Sequence, residues 1–393
     1  MNWNGDDVAI VGGVRTAIGR YAGSLKDIDA YALAAICIQE SVRRVGLDVE
    51  EVEEVVLGQV GQVGPDAYNA RRAALAAGIP ASSTAMNVNR LCSSGLQAIV
   101  TAAQEVATGD VKIAVAGGNE SLSRQPFFDY HARDGWRIGS RELIDGTQSI
   151  LTDPWGHYVM GVTAEKVAER YEVSRETQDA FALESQLRAA RAIEANYFEE
   201  EIVPVQVPGS DELFRRDEHP RPDVTAEKLA KLKPAFMDGG SVTAGNSSGI
   251  NDGAATMVLM HASEAKRRRI EPRLFLRSWA VSGIEPDLMG YAPAFAIPKA
   301  VERAGLTLDD IDLIELNEAF AAQAVAVIRD VGIDPARVNV FGGAIALGHP
   351  VGGTGAILTV RLLHALERLG KKRGIVTMCI GGGQGMAAVF ERP

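Results

Sequence analysis

The sequence has 393 residues, of which 46% are hydrophobic and 23% charged, and its formal net charge is −11. This composition indicates two or three globular domains, or one fold built twice, and it excludes a disordered chain or a small disulfide-stapled protein. The acidic charge argues against nucleic acid as a partner, because a nucleic-acid binder needs a basic face. No charge-free apolar stretch approaches the roughly 18 residues that suggest a membrane span.

The N-terminus and the cysteines indicate the compartment. Residues 1–7 are acidic rather than basic, so they do not resemble a signal or transit peptide. The three cysteines, Cys37, Cys92 and Cys379, are odd in number and too few for a disulfide framework. The histidines form no HxxxH or HExxH pair, so a metal site is not expected. We therefore expect a cytoplasmic protein without a bound metal.

A repeat with an offset of 259 residues relates two parts of the chain. Residues 40–58 align with residues 299–317, and each copy predicts a helix ended by glycine, an acidic turn and a strand. After each copy, the pattern predicts a strand, a turn, a helix and another strand. The first turn contains Cys92, and the second contains His349. Two linked matches in the same order predict a duplicated α/β unit.

The stretch between the repeats, residues 120–251, differs in character and is rich in Arg, Asp, Glu and Pro. It contains one predicted amphipathic helix near residues 163–195. We interpret the stretch as an insertion in the first half rather than as a linker. The expected units are then an N-terminal half of residues 1–119 and 252–270, an inserted loop domain of residues 120–251, and a C-terminal half of residues 271–393.

Cys92 follows a predicted strand and opens a predicted helix, which Gly109 is expected to end. The helix is amphipathic, with apolar residues at Leu96, Ile99, Val100, Ala103 and Val106. A thiol at a helix N-terminus faces the positive end of the helix dipole, which is expected to lower its pKa. Position alone leaves two interpretations open, a reactive nucleophile or a buried structural cysteine.

Three further residues stand where predicted strands end or glycines cluster. His349 lies in the glycine-rich run 342–355, which predicts a tight loop close to a ligand and lacks the ending of a phosphate-binding Walker loop. Cys379 ends a strand and precedes three glycines, whose backbone N–H groups can bind an oxyanion. Asn317 ends the strand of the second repeat. Ligands bind at the C-terminal ends of parallel strands, so we expect these residues in one site.

Five motifs in register resemble the thiolase family, and the resemblance spans nearly the whole chain. The motifs are Asn89-RLCSSGLQA, Gly240-SVTAGNSSGINDGAA, Asn317-EAFAAQ, Asn339-VFGGAIALGHPVGGTGA and Cys379-IGGGQG. The resemblance implies two βαβαβαββ halves with an inserted loop domain that binds CoA. It also implies an acyltransferase that acts on CoA thioesters, uses coenzyme A as a substrate with no other cofactor, and assembles as a homodimer or homotetramer.

The same resemblance implies catalytic roles. Cys92 would be the nucleophile that carries the acyl group, and His349 would activate it. Cys379 would be the acid/base that exchanges the α-proton of acetyl-CoA. Asn317 would hold a water that completes one oxyanion hole with His349, while the N–H groups of Cys92 and Gly381 would form the other.

The resemblance also implies contacts with the substrate. Arg221 matches a residue that lies against the adenine of CoA, and Ser248 matches one that contacts the pantetheine arm. The remaining expected substrate contacts are Met160, Phe236, Ala319 and Phe320.

One departure bears on the length of the acyl chain. Acetoacetyl-specific biosynthetic thiolases usually carry histidine directly before the methionine of the Met-Gly-x-Thr-Ala-Glu motif, where this chain has Val159 before Met160. The stretch 92–94 also resembles the degradative type that serves fatty-acid β-oxidation. These features favour longer 3-ketoacyl-CoA substrates. An acetoacetyl-CoA-specific acetyltransferase stays open as the alternative.

Two more distant alternatives are weakened by the residues present. A ketosynthase-like condensing enzyme would lack a second cysteine, and this chain has Cys379 within its glycine run. A non-catalytic CoA- or lipid-binding relative would be expected to have lost Cys92, His349 or Cys379.

Overall fold

The computed structural model of the protein describes residues 8–393. Its first part alternates strands and helices as the repeat pattern predicts. The elements are β1 (Val8–Thr16), β2 (Gly19–Arg20), α1 (Ala30–Arg44), β3 (Glu54–Gly58), α2 (Asn69–Ala76), β4 (Thr84–Val88), α3 (Ser94–Thr108) and β5 (Ile113–Ser121). After α1, Gly46 adopts a left-handed conformation with φ of 73°. The acidic turn before β3 is closed by a reciprocal capping box between Asp48 and Glu51.

The segment between β5 and the next long strand contains mostly short elements. They are β6 (Phe127–Phe128), β7 (Ile144–Asp145), α4 (Gly146–Ile150), α5 (Met160–Arg170), α6 (Arg175–Glu194), β8 (Ile202–Val203), β9 (Val205–Gln206), β10 (Leu213–Phe214) and α7 (Ala226–Ala230). The prediction of one helix over 163–195 is wrong, because α5 and α6 are separate. Between them Glu172 has a φ of 52°, and the Ser174 hydroxyl caps α6 by accepting the Thr177 N–H at 3.3 Å.

The chain then returns to the sheet, completes the first half with β11 and α8, and builds the second half. The elements are β11 (Asn251–His261), α8 (Ala262–Arg268), β12 (Leu274–Gly283), α9 (Pro293–Arg303), β13 (Leu313–Leu316), α10 (Ala321–Val331), α11 (Ala344–Leu347), α12 (Thr354–Arg368), β14 (Arg373–Ile380) and β15 (Gln384–Glu391). The predicted copy of the helix, glycine and acidic turn recurs here. Gly305 has a φ of 69°, and Thr307 and Asp310 form a second capping box before β13.

The two halves match strand for strand. The first half has the order β4-β3-β5-β11-β1, and the second has β13-β14-β15-β12, with a bridge from Val338 to Ile314 in the position of β4. The halves join where β1 pairs with β12 through Ala9 opposite Phe275 and Ile10 opposite Leu274. Helices α3 and α12 pack against each other between the halves. The duplicated α/β unit predicted from the sequence is therefore observed.

A buried cation ties the inserted segment to the first strand. Arg15 on β1 is fully buried, and its guanidinium binds Glu201 at 2.7 Å and Asp217 at 2.7 Å. Directly beside Glu201, strand β8 pairs in parallel with the end of β1. The inserted segment is thus fixed to the sheet by both an ion-pair network and backbone hydrogen bonds.

Candidate active site

Cys92 lies in the tight turn between β4 and α3, as the sequence predicts. The Ser94 hydroxyl closes this turn by accepting the Arg90 N–H at 2.9 Å and donating to the Leu91 carbonyl at 2.6 Å. Leu91 is held with a φ of 47°, in the left-handed region that non-glycine residues rarely adopt. At the other end of α3, Gly109 has a φ of 79° and ends the helix as expected. The turn presents the thiol just before the first turn of α3.

The expected lowering of the Cys92 pKa is wrong. The backbone N–H groups of Gly381 and of Cys92 itself donate toward the sulfur and favour the thiolate. Burial outweighs them and raises the pKa of Cys92 above its usual value, with the charge of Glu120 acting in the same direction. Cys92 therefore rests as a thiol and needs a base to become a nucleophile.

His349 is buried and held at three points. Its backbone N–H donates to Asn251 Oδ1 at 2.9 Å, and its Nδ1 lies 2.6 Å from Thr354 Oγ1. The Thr354 hydroxyl in turn donates to the Pro350 carbonyl at 3.0 Å. On the other side of the ring, Nε2 lies 3.4 Å from Asn317 Nδ2. Burial lowers the pKa of His349 to about 4, so the imidazole is neutral at physiological pH.

The loop that carries His349 packs directly on the beginning of the Cys92 helix. A Cβ added to Gly95 would lie 2.8 Å from the Ala356 backbone nitrogen and 3.0 Å from the Gly352 carbonyl oxygen. A Cβ on Gly118 would lie 2.5 Å from the same carbonyl oxygen. Glycine is required at both positions because the two backbones approach too closely for any side chain. The contact joins the first half to the second at the site.

Cys379 lies at the end of β14 in an apolar cluster with Met289 and Ala319. Burial raises the pKa of Cys379, and the charge of Cys92 raises it further, which reflects the closeness of the two thiols. The glycine turn follows directly. A Cβ on Gly381 would lie 3.5 Å from Leu91 Cδ1 and 3.6 Å from Met160 Cε. Both cysteines thus face one apolar space that Met160 also borders.

Asn317 directly follows β13, and its position is fixed by the strand end. Its backbone N–H donates to the Thr377 carbonyl at 3.0 Å. Nearby, Asn339 bridges the Leu316 carbonyl at 2.8 Å and the Glu318 carboxylate at 2.7 Å. The Asn317 side-chain Oδ1 is buried and pairs with no group in the described part of the chain. An amide held in this way offers a polar atom to the space beside His349.

The substrate contacts expected from the resemblance surround this space. The Ser248 N–H donates to the Ala319 carbonyl at 2.9 Å, so the two predicted residues are adjacent. Phe320 packs edge-to-face on Phe236, with ring centroids 6.0 Å apart. Phe236 also covers Gly161, next to Met160, where a Cβ would lie 2.2 Å from its ring.

Arg221 lies farther out, on an exposed part of the inserted segment. Its backbone N–H donates to Gln186 Oε1 at 3.0 Å. His219, two residues earlier, has its ring 2.2 Å from the position of a Cβ on Gly249, next to Ser248. Burial and the charge of Arg221 lower the pKa of His219 to about 4. A continuous path of contacts therefore leads from Ser248 through the neutral ring of His219 to Arg221.

Sequence reasoning missed three residues that hold the site. Asn251 and Thr354 anchor His349, and only the presence of Thr354 inside the glycine run could have indicated its role. Glu120, buried at the end of β5, accepts N–H groups from Val60 at 3.0 Å, Gly61 at 3.1 Å and Gly352 at 2.9 Å. A single acid at the end of an apolar strand was the available signal for Glu120.

Two cysteines and an asparagine that follow or end strands of a duplicated α/β fold, with a histidine from the loop between α11 and α12, form a site suited to acyl transfer. The family model for the thiolase N-terminal domain matches residues 8–263, and the model for the thiolase C-terminal domain matches residues 270–392. The chain belongs to the thiolase family and is an acyltransferase. The predictions of fold class, family and enzyme class are confirmed.

Similar proteins carry two kinds of name. The chain is 49% identical to beta-ketothiolase BktB of Cupriavidus necator, with 98% of this chain and 99% of the relative covered. It is 48% identical to an acetyl-CoA acetyltransferase of Pseudomonas aeruginosa, with the same coverage. Among solved structures, Bacillus anthracis acetyl-CoA acetyltransferase matches with a TM-score of 0.97 at 45% identity, covering 99% of both chains. Human mitochondrial 3-ketoacyl-CoA thiolase in complex with CoA matches with a TM-score of 0.96 at 39% identity, covering 99% of this chain and 98% of that one.

Proposed function

We propose that the protein catalyses CoA-dependent cleavage of 3-ketoacyl-CoA to acetyl-CoA and a shortened acyl-CoA, and the reverse condensation, through an acyl-enzyme on Cys92. The observation that carries this proposal is the pair of neighbouring thiols, the partly buried Cys92 and the buried Cys379, where the helix that follows Cys92 packs on the loop of the neutral His349. Breaking a carbon–carbon bond next to a ketone needs a covalent acyl carrier and a second acid/base for the carbanion. Two thiols divide those tasks.

Cys92, His349 and Cys379 act in turn in the proposed cycle. His349 Nε2 takes the proton of Cys92, and the sulfur attacks C3 of the substrate. The C2–C3 bond then breaks, and Cys379 gives its proton to the acetyl-CoA carbanion. In the second stage of the reaction, the resulting Cys379 thiolate takes the proton of an incoming CoA thiol, whose sulfur attacks the acyl-enzyme. Release of the shortened acyl-CoA returns Cys92, which recovers its proton from His349.

The oxyanions of these steps have separate donors in the proposal. The N–H groups of Cys92 and Gly381, which point at the sulfur, are suited to an oxygen on the acyl carbon held by that sulfur. His349, with a water held by Asn317, is assigned to the thioester oxygen of acetyl-CoA. Loss of one such donor costs about 3–4 kcal/mol of transition-state stabilisation.

The inserted loop domain, residues 120–251, is proposed to hold CoA. Arg221 at the exposed rim would lie against the adenine, and Ser248 would contact the pantetheine arm. The support is the continuous path from Arg221 through His219 to Ser248 and Ala319. The apolar end of this path is lined by Met160, Phe236, Ala319 and Phe320.

We propose longer 3-ketoacyl chains, as in fatty-acid β-oxidation, as the preferred substrates. The support is Val159, an apolar residue. It directly precedes Met160, and Met160 borders the space between the thiols. The second candidate is an acetoacetyl-CoA-specific acetyltransferase. The similar proteins named acetyl-CoA acetyltransferase favour it.

A homodimer or homotetramer in the cytoplasm completes the proposal. Strand β4 is an open edge of the sheet and carries exposed Met86. The segment 127–144 exposes apolar side chains that include Tyr130, Ile138 and Leu143, as association surfaces do.

All three cysteines are free, which suits a reducing compartment. Within residues 8–393, no helix has the length and apolar character needed to cross a membrane.

The test is product analysis with CoA and 3-ketoacyl-CoA thioesters of four, six and eight carbons. The proposal expects acetyl-CoA and a thioester two carbons shorter in equal amounts, and no turnover by the Cys92→Ala variant. Consumption of substrate without acetyl-CoA, or full turnover by the variant, would overturn it.

A further inference from the structure

Trp155 stands over the glycine turn of the proposed active site. Its indole Cη2 and Cζ3 atoms lie 3.3 Å from the position that a Cβ on Gly382 would occupy. Gly382 adopts a φ of 79°, so the turn follows a backbone path that favours glycine. The indole is nevertheless 66% exposed. A large apolar side chain in this position offers most of its surface to whatever binds beside the turn.

The segment that carries Trp155 is held in place from both sides. Asp153 is buried, and its Oδ1 accepts the N–H groups of Trp155 at 3.0 Å and Gly156 at 2.6 Å. The Asp153 N–H donates to the Tyr158 carbonyl at 2.8 Å. The Tyr158 hydroxyl donates to Asp287, which also pairs with Lys166. The indole is therefore presented by a fixed turn, which reduces the entropy that a contact with a ligand would cost.

The indole extends an apolar wall that begins at the nucleophile. Leu91 Cδ1 and Met160 Cε border Gly381, and Trp155 borders the next residue, Gly382. The Gly381 N–H points at the Cys92 sulfur. Moving away from that sulfur, the wall passes from Leu91 and Met160 to the indole.

We propose that Trp155 is a specificity-determining residue whose indole covers the distal carbons of a long acyl chain held at Cys92. The inference rests on the proposed function and adds a residue that selects among its substrates. A four-carbon substrate ends beside Leu91 and Met160, whereas the last carbons of an eight-carbon substrate reach the indole. The contact therefore acts on long substrates alone.

The test compares thiolysis of four- and eight-carbon 3-ketoacyl-CoA by the wild type, Trp155→Ala and Trp155→Phe. We expect Trp155→Ala to lower kcat/KM for eight carbons by roughly fivefold or more, mainly through KM, because apolar contacts of a few methylenes are lost. The four-carbon value should stay within about twofold. The phenylalanine variant should keep most of the eight-carbon rate, since it restores an apolar ring.

Trp136→Ala is the matched control, because Trp136 is 64% exposed and contacts Arg141 and the Gly139 carbonyl in another loop. It should leave the ratio of the two rates unchanged, with assembly and melting temperature checked for every variant. An equal loss at both lengths, an unchanged ratio or a gain at eight carbons in Trp155→Ala would overturn the inference while the proposed function stands. Absence of wild-type thiolysis at both lengths would instead overturn the proposed function and the inference together.

Discussion

His349 Nδ1 lies 2.6 Å from Thr354 Oγ1, and this contact fixes which ring nitrogen is the base. The Thr354 hydroxyl donates its hydrogen bond to the Pro350 carbonyl at 3.0 Å, so its oxygen accepts a hydrogen bond from the Nδ1–H of His349. This hydrogen-bond network assigns the proton of the neutral ring to Nδ1 and makes Nε2 the basic nitrogen, which accepts the Asn317 amide N–H. Nε2 faces Asn317 Nδ2 across 3.4 Å, on the side of the proposed substrate. A buried threonine therefore sets the tautomer of the proposed base.

As the pH is lowered, the rate of Cys92 acetylation should fall only at a pH far below the ordinary pKa of histidine. Because burial lowers the pKa of His349 to about 4, the neutral, basic form persists as the pH falls from 8 to 5 and is lost only near 4. Rapid-mixing measurement of single-turnover acetylation by acetyl-CoA across this range checks the expectation. A limb centred near 6.5 would contradict it.

Replacing Thr354 should slow acetylation without removing the base. In Thr354→Val the Nδ1 proton loses its acceptor, and the loss of one hydrogen bond worth roughly 1 kcal/mol corresponds to a rate about fivefold lower. Thr354→Ser keeps the hydroxyl and should retain most of the wild-type rate. The same rapid-mixing assay applies, and equal rates in all three proteins would remove Thr354 from the mechanism.

The Cys379→Ser variant should separate the two thiols by function. It should block exchange of the acetyl-CoA methyl protons with solvent, by about 100-fold or more, because a hydroxyl is a far weaker acid than a thiol and does not form the anion that removes a methyl proton. It should still permit acylation of Cys92. The assay is deuterium incorporation into the methyl group, followed by NMR, with intact mass reporting the acyl-enzyme. Normal exchange in the variant would exclude Cys379 as the acid/base.

Activity should extend beyond acetoacetyl-CoA. Each added methylene in an apolar pocket contributes roughly 1–3 kcal/mol, so kcat/KM should rise at least several-fold from the four-carbon to a six- or eight-carbon chain. Thiolysis rates at equal CoA across the series test this. A steady fall with length would mark the protein as an acetoacetyl-CoA thiolase. The assignments of Cys92, His349 and Cys379 would survive that outcome, since they rest on other residues.

Removing the buried cation of Arg15 should destabilise the whole fold. Arg15→Met leaves Glu201 and Asp217 buried without their partner, which costs about 3–5 kcal/mol. The control is Arg20→Met, because Arg20 is mostly exposed and pairs with Glu218 at 3.6 Å. Its loss should change the free energy of unfolding by less than about 1 kcal/mol. Urea unfolding measures both, and equal losses would contradict the role given to Arg15.

The parts of the fold that local chemistry dictates were predictable from the sequence. Gly46 and Gly305 end their helices before matching acidic turns, and Gly109 ends α3. In each case the local sequence alone determines the backbone conformation at the helix end. The break between α5 and α6 was missed, since Glu172 gives no warning of a left-handed conformation and Ser174 acts as a cap only in context.

The environment of the site depends on contacts that sequence order does not reveal. The helix end at Cys92 suggested a lowered pKa, but the opposing effect of burial comes from residues distant in the chain. Asn251 anchors His349 through a hydrogen bond that forms only when distant parts of the chain meet. Thr354, five residues after His349, anchors it through a local turn whose geometry the glycine run does not specify.

The identity of the thiol that carries the acyl group is the most direct test of this account. The wild type is incubated with acetyl-CoA, and the intact mass and the modified peptide are determined. We predict a single added acetyl group on Cys92, which is lost in Cys92→Ala. Cys37 is buried in α1 and is not expected to react, because burial raises its pKa to about 12. An adduct on Cys37 or Cys379 in the wild type, or one that persists in Cys92→Ala, would contradict the assignment of Cys92 as the acyl carrier.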